Sequence, residues 1–115
     1  MQVSLEGVAI HVRDVEAALD FYRRIPGAAV LTHRPGHIAI VSIGKSALNL
    51  VRIPEQPPFH LEIETDALDA LYERLRTEGF DISGPPVDKP WGERTFYARD
   101  PEGNHLEFSQ SRRER

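Results

Sequence analysis

The chain has 115 residues, 40% of them hydrophobic and 28% charged, which is the size and composition of one globular domain. It contains no cysteine, so disulfides, zinc–thiolate sites and thiol nucleophiles are excluded. Fourteen basic against 18 acidic residues give a net charge of −4, which argues against nucleic-acid binding because that depends on neutralising phosphates.

No apolar run approaches the roughly 18 residues of a membrane span. The opening MQVSLEGVAIHV has neither a basic segment nor a long apolar one, so it does not read as a signal peptide. The expected setting is cytoplasmic, with no membrane partner. The one basic cluster, SRRER at 111–115, reads as a solvated tail.

In chain order, EGVAIHVR (6–13) alternates. Val8, Ile10 and Val12 take one face, and Gly7, Ala9 and His11 the other, which predicts a strand with one face on a core. Asp14 then caps a predicted helix over VEAALDFYRRI, with Val15, Ala18, Leu19 and Tyr22 at helical spacing on its apolar stripe, stopped by Pro26–Gly27. AAVLTH, HIAIVSI and SALNLV follow as strands, split by RPG and GKS. His33 and His37 flank that RPG turn and read as surface residues. RIPEQPPF holds three of the nine prolines and reads as an extended linker over about 53–58.

The order then repeats. HLEIET is a strand with Leu61 and Ile63 opposite His60, Glu62 and Glu64. DALDALYERLRTEG is an amphipathic helix with Leu68, Leu71, Tyr72 and Leu75 on its apolar stripe and Gly79 as its stop. FDISGP, ERTFYA and NHLEFS follow as strands, with Asp100 as a turn former in the DPEG between the last two. The prediction is an α+β fold of tandem βαβββ modules, about 4–52 and 59–110, within one domain over 1–115. Its mixed sheets curve around a cleft, with the helices outside.

Shifting the first half by 53 lays Gly7 on His60, Ala9 on Glu62 and His11 on Glu64, and LNL (48–50) answers LEF (106–108). Asn49 therefore matches Glu107. The non-core face of these strands is unusually polar, holding His11, Asn49, His60, Glu62, Glu64, His105 and Glu107. A glutamate between Leu106 and Phe108 is either a solvated outer position or an acid held in a cleft.

HVRDVEAALDFY, HLEIETDALDALYERLRTEGF and PWGERTFYARDPEGNHLEF resemble the vicinal oxygen chelate superfamily of glyoxalases, bleomycin- and fosfomycin-resistance proteins and extradiol dioxygenases. The resemblance covers essentially the whole chain, and PWGERTFY with DPEGNHLEF is its most specific part. It implies up to four metal-ligand positions, at the first and last strand of each module. These fall on Gly7, Asn49, His60 and Glu107. His60 and Glu107 have the family's ligand types, Gly7 cannot ligate, and Asn49 is a weak oxygen donor.

The resemblance implies a divalent metal (Ni, Zn, Mn or Fe) on His60 and Glu107, with Asn49, Glu62 or water completing the shell and Glu107 as catalytic base. Lyase, isomerase or dioxygenase chemistry on vicinal oxygens of a small molecule follows. The alternative is a metal-free, bleomycin-resistance-like protein that sequesters a ligand. His11, Asn49, Glu62 and Trp91 line the expected cleft in either case, and the resemblance implies a homodimer. His11 lies about 13 Å along the strand from Gly7, too far to replace it, whereas Glu62 is about 7 Å from His60.

Overall fold

A computed structural model describes residues 1–54 and 57–111. Glu55 and Gln56 of the expected linker, and Arg112 to Arg115 of the basic tail, lie outside the described residues. The described chain folds as an α+β protein with two helices and nine strands. No described helix is long and apolar enough to cross a membrane. It divides into two compact units, Glu6–His60 and Met1–Leu5 with Leu61–Arg115.

In the first unit, β1 (Val3–Val12, the unit boundary falling after Leu5), helix α1 (Val15–Tyr22), β2 (Ala28–Arg34), β3 (Ile38–Ile43) and β4 (Ser46–Arg52) follow one another. The strands lie in the order β2-β3-β4-β1. The β2–β3 and β3–β4 pairs are antiparallel and β1 runs parallel to β4, Gly7 beside Ala47 and Ala9 beside Asn49. Asp14 caps α1 as expected, its Oδ1 accepting the Ala17 N–H at 3.0 Å. The helix stops at Tyr22, three residues short of the expected end. Ile25 precedes Pro26 and is disfavoured in helical geometry, and tight turn bonds from Arg24 and Ile25 to Phe21 and Tyr22 replace the helix there.

The apolar stripe predicted from the sequence packs as a core. Val15 and Leu19 of α1 meet Ala39, Val41 and Leu50, flanked by Ile10, Val12 and Leu48. The β2 strand is the exception, exposed along nearly all its length at the end of the strand order.

The second unit contains β5 (Phe59–Thr65, the unit boundary falling after His60), α2 (Leu68–Thr77), β6 (Asp81–Ile82), β7 (Val87–Asp88), β8 (Glu93–Arg99) and β9 (His105–Ser111). Its strands lie in the order β5-β9-β8-β6, with β7 also on β8. The strand expected over FDISGP shortens to β6, ahead of Pro85 and Pro86, which have no N–H for a ladder, and a further two-residue strand, β7, follows those prolines; both pair with β8.

Leu68, Leu71 and Leu75 of α2 pack on Phe96, Ala98 and Phe108, the two phenylalanine rings stacked 4.7 Å apart. Gly79, at φ 84°, ends α2 as expected, with the Phe80 N–H reaching back to the Leu75 carbonyl. The start of α2 has no side-chain cap of its own. Gln110 of β9 supplies one: its Oε1 accepts the Leu68 N–H at 2.9 Å while its Nε2 donates to the Asp66 carbonyl at 2.8 Å. Asp66 in turn accepts the Gln2 N–H and donates its own N–H to the Gln2 carbonyl.

Candidate functional site

Strand geometry builds the site. In β5, His60 and Glu62 are two residues apart and so point to one face, while Ile63 joins the core on the other. Leu106 and Phe108 of β9, the strand next to β5, also join that core, and Glu107 between them points the other way. This answers the question raised by a glutamate between two large apolar residues: it is half-buried, on the same side as His60 and Glu62.

His60, Glu62 and Glu107 each bring one ligand atom to within 4.8 Å of the other two. Two donors on one cation at about 2.1 Å lie roughly 3–4 Å apart, so small side-chain adjustments suffice. One imidazole and two carboxylates carry a charge of −2 that a divalent ion cancels. Mixed nitrogen and oxygen donors suit zinc, nickel, iron(II) or manganese.

His60 has a further partner. Its Nδ1 lies 2.7 Å from Nε2 of His11 on β1, with the ring centroids 5.0 Å apart and the planes at 52°. The His11 backbone N–H also donates to the Pro58 carbonyl at 2.9 Å, which ties β1 to the chain entering β5. Nothing in the one-dimensional pattern links these histidines, which are 49 residues apart.

The first module's family positions differ. Gly7 lacks a side chain and also has no room for one: a Cβ there would lie 2.8 Å from the Ala47 carbonyl oxygen on β4. That parallel pairing makes glycine the fitting residue. Asn49 sits half-buried on β4, in register with Ala9 and Ile40.

Trp91 stands on the loop before β8 and is 66% exposed. Its Nε1–H donates to Glu93 at 2.8 Å, and Lys89 lies over both its ring and that of Tyr97. Glu64 is exposed on β5, as are His33 and His37 around their turn. Asp100 acts as the turn former expected of it, its Oδ1 accepting the Glu102 and Asn104 N–H groups and its Oδ2 the Asn104 amide. The Asn104 side chain first, and then those backbone N–H groups, hold the Asp100 carboxyl below its usual range.

A family model described as the glyoxalase/bleomycin resistance protein/dioxygenase superfamily matches residues 4–108. The chain belongs to this superfamily. Solved structures of its members share the fold. A superfamily member from Vibrio splendidus 12B01 superposes with a TM-score of 0.77 at 18% identity, over 96% of this chain and 98% of that one. A protein of Bacillus halodurans C-125 gives 0.77 at 19% identity, over 96% of each chain. The 2,3-dioxygenase LapB from Pseudomonas sp. KL28 gives 0.66 at 13% identity, over 94% of this chain but 42% of its own. No curated protein matches the sequence. At these identities the likeness is one of fold, and a superfamily that hosts several reactions leaves the chemistry to be argued from the site.

Proposed function

We propose that this protein is a metal-dependent enzyme acting on a small molecule with two neighbouring oxygens, by lyase, isomerase or dioxygenase chemistry. The observation that carries this reading is the convergence of His60, Glu62 and Glu107 within 4.8 Å. Glu62 takes the place that Gly7 and Asn49 leave unfilled in the family pattern. A divalent cation held there by His60, Glu62 and Glu107 would supply Lewis acidity to the paired oxygens. His60 would contribute a nitrogen and Glu62 an oxygen, and the Glu107 carboxylate would also hold or move a proton beside the reacting carbon. A second copy of this chain is the macromolecular partner the reading expects, and the cytoplasm its setting.

The test is metal content and affinity. Protein purified without chelator is analysed by elemental mass spectrometry, then titrated calorimetrically with nickel, zinc, manganese and iron(II). One ion per chain is expected, weakened at least a hundredfold by either His60→Ala or Glu107→Ala, about 2.8 kcal/mol. Binding no tighter than millimolar, about −4 kcal/mol, sinks the metal reading.

A second reading has its own support. The closed Gly7 position removes one family ligand outright, and Lys89, Trp91 and Tyr97 present an exposed aromatic and cationic face. Both suit a metal-free ligand-sequestering protein. Saturable quenching of Trp91 fluorescence by drug-like ligands, in protein with no metal affinity, would favour it.

A further inference from the structure

We infer that His11 is a positioning residue for the metal ligand His60, a proposal that rests on the metal reading above. A neutral imidazole carries one proton, so His60 can ligate through Nε2 only when its proton sits on Nδ1. That Nδ1 is the atom 2.7 Å from His11 Nε2. Between two neutral rings at this distance one nitrogen donates and the other accepts. Ligation through His60 Nε2 therefore requires the Nδ1–H of His60 to donate and His11 Nε2 to accept, with the His11 proton on its own Nδ1.

The geometry favours that role over chance contact. Both rings are half-buried, so the bond is shielded from competing water. The His11 backbone is fixed twice over, by its register beside Val51 on β4 and by its N–H bond to the Pro58 carbonyl, two residues before His60. His11 thus stands on a rigid strand and sets both the ring orientation and the tautomer of His60. Partners of this kind raise the basicity of a ligating histidine, and their loss costs about 10–100-fold in metal affinity. His11 stands four residues from the ligand position the family pattern puts on this strand, and it touches the ligand residue instead of the ion.

The experiment compares the parent with His11→Phe and His11→Gln by zinc calorimetry and by imidazole ¹⁵N NMR of the zinc-loaded proteins, each first checked for folding by thermal melting. The amide oxygen of glutamine can accept the same hydrogen bond, and phenylalanine cannot. The expected result is a 10–100-fold loss of zinc affinity in His11→Phe and recovery to within about threefold of the parent in His11→Gln. In the parent, His60 should show zinc on Nε2 and a hydrogen-bonded proton on Nδ1, and His11→Phe should lose that hydrogen-bond signature. A His11→Phe protein that binds zinc as tightly as the parent overturns the proposal while leaving the metal site standing. So does zinc on His60 Nδ1. A parent that binds none of nickel, zinc, manganese and iron(II) removes the metal reading and this inference together, so the two failures are told apart.

Discussion

The two modules repeat one pattern but treat its polar positions in opposite ways. In the second, the first and last strands bring His60, Glu62 and Glu107 together. In the first, the matching places hold Gly7, Ala9 and Asn49, and the β1–β4 pairing leaves Gly7 no space for even a Cβ. A duplicated scaffold can thus keep donors in one copy while the other gives up its side chain to close strand packing. The helix starts differ in the same manner: α1 is capped by its neighbour Asp14, whereas α2 relies on Gln110, 42 residues away.

Core truncation should have the largest effect and should show that each module has its own core. Phe96→Ala removes the ring stacked on Phe108 and should cost about 3–5 kcal/mol in denaturant unfolding, and Leu50→Ala in the first core about 2–5 kcal/mol. Equal protection from hydrogen exchange around α1 and α2 in both variants would contradict separate cores.

Replacing the closed position comes next. Gly7→His, which would copy His60 at the matching place, should destabilise by about 1–3 kcal/mol through overpacking against the Ala47 carbonyl, with no gain in metal affinity. A tighter-binding, equally stable variant would mean that the first module is open after all. The caps are a smaller matter. Asp14→Ala should cost about 1 kcal/mol by thermal or urea unfolding. Gln110→Ala should cost more, since Gln110 is buried and its loss leaves both the Leu68 N–H and the Asp66 carbonyl unanswered.

The smallest effect is pH-dependent and appears once in each module. Glu16 on α1 is held below the usual carboxylate range, first by the Gly36 N–H and then by the His33 imidazole, at 2.9 and 2.8 Å. Asp100 is lowered likewise by Asn104. A carboxyl with a lowered folded-state pKa stabilises above its ordinary value, and that contribution fades as pH falls through the lowered one. The melting difference between parent and Glu16→Gln, or parent and Asp100→Asn, should therefore be present at pH 7 and shrink below about pH 4. A difference that grows on acidification would reverse the assigned sign.

The amino-acid sequence determined the α+β class, the tandem repeat, both apolar helix stripes and the Asp14 cap. Each follows from periodicity or from a bond within a few residues. It also showed which family positions carry donor side chains, because residue type alone decides whether an atom can ligate. Tertiary structure decided the rest. The strand expected over 80–85 shortened to two residues ahead of the prolines at 85 and 86, and a second short strand formed beyond them. Glu62 shares a strand face with His60 by spacing alone, but Glu107 joined them only because β9 lies beside β5. The His11–His60 bond, the Gln110 cap and the closed space at Gly7 depend on contacts between strands and segments far apart in the chain. No local pattern encodes them, because they arise only when strand pairing fixes which backbones run side by side.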